Sequence, residues 1–178
     1  MWRTASNFMT LAAVSAWLGG CGLSQTVADS TTATAKAIFY TQVKTLHLDF
    51  SARVALNTDK TDMSGLSVPT LERVYQLRGD RAVEKATYDS LLSQGDSVLS
   101  ADLLNERTLV VKPGEGAQLS MPMDQGAQFV TVVALFRSPD THLNTWRLTL
   151  SRNELDPDKP RVIELGDNRL SLRPLVKE

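Results

Sequence analysis

The clearest hydrophobic pattern in the chain is an alternation of apolar and polar residues between positions 46 and 56. The apolar positions are Leu46, Leu48, Phe50, Ala52, Val54 and Leu56. Successive side chains of a strand point to opposite faces, so this period of two predicts a half-buried β-strand. The polar residues between them, which include His47, Asp49 and Ser51, form its solvated face.

Strand patterns dominate the remainder of the chain, with one helical interruption. They predict strands over residues 70–78, 107–112, 117–123, 128–137, 145–151, 161–165 and 169–173. The nearly continuous apolar run 128–137 is typical of a central strand that is covered on both faces. The turn Pro113–Gly116 predicts a hairpin between the third and fourth strands, and Gly166–Asn168 predicts another between the last two.

The helical interruption lies between Gly79 and Leu104. Asp80 and Thr87 or Asp89 have the residue types that cap helix N-termini, so one or two short helices are expected, with a last turn opening at Asp96. Some eight short strands with a short helical insertion predict an all-β fold, a β-sandwich.

A long polar loop, residues 57–69, separates the first two predicted strands. Its sequence, NTDKTDMSGLSVP, is rich in residues that interrupt regular structure. Loops of this length are uncommon in compact domains unless they have a function. Asp59 and Asp62 could attract calcium, but the alternation and glycine of an EF-hand loop are missing.

The N-terminus predicts an exported lipoprotein. Phe8–Leu18 is mostly apolar but shorter than the roughly 20 residues that cross a bilayer, which favours a signal-peptide core. Leu18-Gly19-Gly20-Cys21 resembles a bacterial lipobox, so residues 1–20 are expected to be removed and Cys21 to be acylated. The alternative is that Cys21 is a buried or chance cysteine. In lipoproteins an aspartate after the cysteine causes retention in the inner membrane; Gly22 here implies the outer membrane.

The composition indicates how the chain is divided and which classes of partner are excluded. Residues 22–37 are rich in Ser, Thr and Ala, which predicts a flexible tether. The chain is therefore divided into 1–20 (signal peptide), 21–41 (lipidated N-terminus and tether) and 42–178 (β-sandwich domain). With 19 basic and 20 acidic residues, the charge balance argues against a nucleic-acid partner, and acyl chains supply the membrane attachment.

Candidate catalytic chemistry is weak. His47, Asp49 and Ser51 have the residue types of a hydrolase triad, but strand residues two apart are about 7 Å apart, too far for direct hydrogen bonds. His142 lies in a turn-like stretch, and the chain has too few His and Cys residues for a zinc site. We therefore expect no catalytic residues, no metal and no cofactor.

Several motifs, in order, resemble one family. They are Val74-Tyr75-Gln76-Leu77, Ala101-Asp102-Leu103-Leu104, Val111–Glu115, Phe129–Arg137 and Trp146-Arg147. This succession is similar to the type VI secretion lipoproteins called TssJ or SciN. The resemblance implies a transthyretin-like β-sandwich on the periplasmic face of the outer membrane. It implies binding to the periplasmic C-terminal region of the inner-membrane subunit TssM and, indirectly, association with a TssL-like subunit.

In the resembled family, the loop between the first two strands is implicated in the TssM contact. The residues that match are Asn57, Thr58, Asp59, Lys60, Thr61, Asp62, Met63, Ser64, Gly65, Leu66 and Ser67. Met63 and Leu66 are the favoured contacts because they are apolar in an otherwise polar loop, with Asp59, Lys60 and Asp62 beside them. The alternative for Leu66 is that it packs back onto the sandwich edge.

Two other classes of function stay open. A periplasmic ligand-binding sandwich would use aromatic residues such as Trp146, Tyr75 and Tyr88 in a cleft, although their positions fit core packing better. An assembly chaperone would bind extended clients by edge-strand addition. An enzyme that uses His47 or Asp49 ranks last.

Overall fold

The computed structural model describes residues 43–59, 61 and 65–175, which all belong to the compact unit Ala37–Glu178. Its elements in chain order are β1 Thr45–Ala52, β2 Thr70–Leu77, α1 Arg81–Lys85, α2 Tyr88–Leu99, β3 Leu103–Val111, β4 Gly116–Pro122, β5 Phe129–Ala134, β6 Arg147–Ser151, a 3-10 turn Arg152–Glu154, β7 Arg161–Gly166 and β8 Arg169–Leu172. The predicted all-β fold of about eight strands with a short helical insertion is confirmed.

The strands form two four-stranded sheets. The first has the order β4-β1-β7-β8, in which β1 is antiparallel to β4 and parallel to β7. The second is antiparallel throughout, with the order β3-β2-β5-β6. Leu46, Leu48 and Phe50 of β1 are at most 2% exposed, so the alternation identified the core face correctly. β5 is central and almost wholly buried, as predicted.

The hairpin predicted between the third and fourth strands is wrong. β3 pairs with β2 in one sheet, whereas β4 pairs with β1 in the other. The turn is directed to β1 by two backbone hydrogen bonds, from Gly114 N–H to Arg53 O (3.1 Å) and from Ala52 N–H to Glu115 O (3.1 Å). The chain therefore changes sheets at this corner, because alternation specifies a strand's faces but not its partner.

The predicted hairpin of β7 and β8 is confirmed, with a two-residue turn. Asp167 and Asn168 have φ of 51° and 57°, the left-handed pair that a type I′ turn requires. β1 ends earlier than predicted, at Ala52 instead of Leu56, and Val54, predicted to lie on the core face, is 77% exposed because it follows the end of the strand. Leu56 is still fully buried, so the apolar pattern marked a core residue that lies beyond the strand.

Both helices pack against the outer face of the second sheet. Arg147 of β6 donates hydrogen bonds to the carbonyls of Val83, Glu84 and Ala86 at the end of α1, and Arg73 of β2 donates to Leu91 O in α2 (2.8 Å). Thr87 caps α2 as predicted, and its side chain accepts a hydrogen bond from Ser90 N–H. Non-helical dihedral angles at Gln94 separate the first part of α2 from its last turn, which was predicted to begin at Asp96. The next strand begins at Leu103, four residues before the predicted start at residue 107. In the described part of the chain, no helix is both long and apolar enough to cross a membrane.

Candidate functional site

Four connections meet at one end of the sandwich, here called the loop end. They are the β1–β2 loop (53–69), the β3–β4 turn (112–115), the β5–β6 loop (135–146) and the β7–β8 turn (167–168). Hydrogen bonds link all four, so the loop end is one connected surface. The predicted partner-binding loop is part of it.

Asn57 holds the base of the β1–β2 loop. Its side chain accepts a hydrogen bond from Arg137 N–H (2.7 Å) and donates one to Pro69 O (3.1 Å). The backbone closes the same base through Val68 N–H to Leu56 O (3.2 Å). Asn57 is 3% exposed with φ of 49°, a left-handed conformation that asparagine tolerates better than most residues. The loop therefore leaves the sandwich from a fixed base.

Asp59 stabilises the part of the β1–β2 loop that follows Asn57. Its carboxylate accepts hydrogen bonds from Thr61 N–H (2.9 Å), Thr61 Oγ1 (2.7 Å) and Ser138 Oγ (3.3 Å), and Arg137 lies 3.5 Å away. Hydrogen bonds from Thr61, partly opposed by desolvation, lower the pKa of Asp59, and the charge of Arg137 adds to this effect. The carboxylate is thus directed towards the protein, where it fastens the loop.

Asn168 of the β7–β8 turn joins two loops. Its amide nitrogen donates to Thr58 O (2.7 Å) in the β1–β2 loop and to Ser138 O (3.2 Å) in the β5–β6 loop. It is 3% exposed, so these bonds are shielded from water. One buried side chain therefore fixes the relative positions of the two longest connections of the loop end.

Left-handed backbone is concentrated at the loop end. The described residues with positive φ are Asn57, Gly65, Gly114, Asn144, Asp167 and Asn168. All six lie in the four loop-end connections. Glycine, asparagine and aspartate adopt this conformation more readily than other residues, so these positions allow the tight turns of the loop end.

The structure describes only part of the predicted site. Asn57, Thr58 and Asp59 anchor the loop, whereas Leu66 is 63% exposed and does not pack back onto the sandwich edge. Gly65 is also exposed, with φ of 59°, and Ser67 is half-buried. The predicted site residues Cys21, Lys60, Asp62, Met63 and Ser64 lie outside the described residues.

Residues proposed for other functions are placed differently. Trp146 and Tyr75 are fully buried and Tyr88 is 9% exposed, with the Tyr88 and Trp146 ring centres 5.2 Å apart in an edge-to-face contact. They belong to the core and do not line a ligand cleft. His47 Nδ1 lies 3.1 Å from Ser120 Oγ on the neighbouring strand. No group of three or more His, Cys, Asp or Glu residues arranged for a metal occurs in the described part of the chain.

Sequence reasoning missed the residues that support the loop from other elements. Arg137, Ser138 and Asn168 were not among the predicted site residues, yet they contact the β1–β2 loop. The available signal was the turn-rich composition of residues 138–144, SPDTHLN, which marks a second long loop. Composition does not reveal which loops lie side by side.

This β-sandwich domain matches one protein family. Residues 44–168 match the family model T6SS-SciN, described as "Type VI secretion lipoprotein, VasD, EvfM, TssJ, VC_A0113", and the chain belongs to this family. The predicted resemblance is thereby confirmed. Membership in a lipoprotein family carries a signal peptide and an acyl anchor, and the family is a structural secretion component, not a known enzyme family. No curated protein gives a significant match.

Solved structures agree. The chain is 38% identical to a chain in the structure titled "T6SS protein TssM C-terminal domain (869-1107) from EAEC", with a TM-score of 0.67, covering 75% of this chain and 100% of that one. A chain of a "Type VI membrane complex" is 39% identical, with a TM-score of 0.70 and coverages of 74% and 99%. The lipoprotein TssJ1 from Pseudomonas aeruginosa is 25% identical, with a TM-score of 0.59 and coverages of 75% and 98%.

Proposed function

We propose that this protein is an outer-membrane-anchored adaptor of a type VI secretion membrane complex. Cys21 carries the acyl anchor, residues 21–41 form the tether, and residues 42–178 form a non-catalytic domain on the periplasmic face. This domain binds the periplasmic C-terminal region of a TssM-like inner-membrane subunit, and through it associates with a TssL-like subunit. The function is to help build the complex that spans the envelope.

One comparison carries the choice of partner. The EAEC structure is titled for TssM residues 869–1107, a range longer than this entire 178-residue chain. The match nevertheless covers 100% of the chain concerned with 75% of this one. We therefore infer that the matched chain is a smaller protein present together with the TssM domain, and that our chain occupies the equivalent position.

The geometry of the β1–β2 loop supports it as the contact. Its base is fixed by Asn57 and Asp59, so the base would lose little conformational entropy when a partner binds. Beyond the base, Leu66 exposes 63% of its surface to water. An exposed leucine on an anchored loop is the kind of apolar group that a partner can desolvate.

Leu66→Asp tests the function and its site together. We expect the affinity of the full chain, in detergent micelles, for the TssM-like periplasmic region to fall at least about tenfold, because a carboxylate would be buried in an apolar contact. Biolayer interferometry measures this affinity. The control is Leu175→Asp, since Leu175 is 56% exposed but follows β8 at the opposite end.

The possible results separate the claims. Loss of affinity for Leu66→Asp alone, with unchanged melting temperatures, supports both partner and loop. If both variants bind with the wild-type affinity, the proposed partner stands but the binding site lies elsewhere on the domain. A wild-type chain that captures no TssM-like protein would refute the adaptor function and favour ligand binding.

A further inference from the structure

A second long connection stands beside the β1–β2 loop. β5 and β6 are antiparallel neighbours, paired as far as Val133 and Arg147, and such hairpins usually have loops of about two to five residues. Here the connection runs from 135 to 146. Leu143, within this extra length, is 74% exposed. The family resemblance drew attention to the first loop only.

Leu143 is held in its exposed position by the local structure. Asp140 Oδ1 accepts hydrogen bonds from His142 N–H (3.0 Å) and Leu143 N–H (2.9 Å), which closes a tight turn. Asn144 follows with φ of 52°, and the loop ends at the fully buried Trp146. A leucine fixed on the outside of an ordered turn contributes little to folding, because most of its side chain stays in water.

The β5–β6 loop and the β1–β2 loop form one continuous surface. Arg137 and Ser138 contact Asn57 and Asp59, as described above, and Asn168 donates to both loops. Leu143 and Asn168 also line the same small cavity of about 100 Å³. The bases of the two loops are therefore fixed side by side, and both exposed leucines lie on connections of the same end of the sandwich.

The size of a stable interface requires more surface than the first loop provides. Specific complexes bury about 800 Å² on each partner, contributed by some 20–30 residues. The β1–β2 loop spans only residues 53–69, and Leu56 and Asn57 within it are buried. A partner seated on Leu66 must therefore extend to neighbouring surface at the loop end.

We infer that the β5–β6 loop is the second half of the partner-binding surface, in which Leu143 makes a direct apolar contact with the TssM-like protein. This inference rests on the proposed function, since it names a further contact with the same partner. Contact with the partner would explain why Leu143 is exposed in the free protein, as proposed for Leu66.

The test compares single and double variants of the full chain in detergent micelles. Leu143→Asp is expected to weaken binding of the TssM-like periplasmic region at least about tenfold, and Leu143→Met to retain the wild-type affinity within about twofold. Leu175→Asp is the matched control, with the same substitution at an exposed leucine away from the loop end. The double variant Leu66→Asp/Leu143→Asp should be weaker than either single variant, as for two separate contacts of one interface.

The outcomes distinguish this inference from the proposed function. If Leu66→Asp weakens binding and Leu143→Asp does not, the adaptor function stands and the second contact is wrong. If Leu143→Asp changes only the self-association of the chain in sedimentation, the surface serves a second copy and the inference is also wrong. Absence of binding by the wild-type chain would overturn both. Equal melting temperatures of the variants are required for a loss to count in its favour.

Discussion

Replacement of Arg152 by methionine is expected to lower the free energy of unfolding by about 3–5 kcal/mol, because it removes the guanidinium donor from two buried carbonyl groups. Arg152 is 6% exposed, and its guanidinium donates to the carbonyls of Val43 (2.8 Å), Asp124 (2.9 Å) and Ala127 (2.7 Å). A fourth, longer contact reaches Gln125 O (3.5 Å).

The effect is large because these carbonyls belong to separate segments. Val43 lies two residues before β1, residues 124–127 are in the connection from β4 to β5, and Arg152 itself begins the 3-10 turn after β6. One planar group thus joins both sheets at the end opposite the loop end. Methionine fills similar space but donates no hydrogen bonds, so the buried carbonyls of Val43 and Ala127 would lose their guanidinium donor. Asp124 O would still accept from Ala127 N–H (3.2 Å).

Thermal unfolding of the full chain in detergent micelles, followed by near-ultraviolet circular dichroism, measures this loss. A decrease in melting temperature of roughly 10–20 °C corresponds to it for a domain of this size. Arg107→Met is the control, since Arg107 is exposed on the edge strand β3 and should change stability little. Equal melting temperatures of Arg152→Met and wild type would show that Arg152 does not support the fold.

Elements with local patterns were predictable from the sequence. The alternation in β1 identified its core face, Thr87 marked the start of α2, and Asp167 and Asn168 marked a hairpin turn. Each of these signals arises from the conformational preferences of residues that are adjacent along the chain. The β3–β4 connection failed because the partner of a strand depends on the packing of the whole sandwich.

The supports of the binding loop were not predictable for a similar physical reason. Asn168 contacts Thr58 across 110 positions of sequence, and Ser138 contacts Asp59 across 79. No period or spacing relates such positions. The loop itself could be noticed from its length and its apolar residues, but not the surface that holds it or the neighbouring loop that extends it.

Glu72 is another residue whose environment the strand pattern did not predict. It lies on β2, where a charged residue normally marks a solvated face, yet it is fully buried and neither carboxyl oxygen accepts a hydrogen bond from a described protein group. Desolvation raises the pKa of its carboxyl well above the ordinary value. Burial, together with the nearby charges of Asp89 and Glu72, also raises the pKa of Tyr88 to about 12.

The raised pKa makes stability depend on pH in a definite direction. Between the ordinary pKa of about 4.5 and the higher value in the folded state, the folded chain binds more protons than the unfolded chain. The contribution of Glu72 is therefore most favourable below the ordinary pKa, and stability falls as the pH rises through this window. The slope is about 1.4 kcal/mol for each pH unit.

Glu72→Gln is expected to remove this dependence and to raise stability at neutral pH, because glutamine is a neutral group of nearly the same shape as the protonated acid. Denaturant unfolding of the full chain at several values between pH 4.5 and 8 measures it, and the advantage of the variant should grow with pH. Glu115→Gln, at an exposed residue, is the control. If the two unfolding profiles of Glu72→Gln and wild type run parallel across this range, the buried carboxyl does not change its charge on unfolding and the interpretation is wrong.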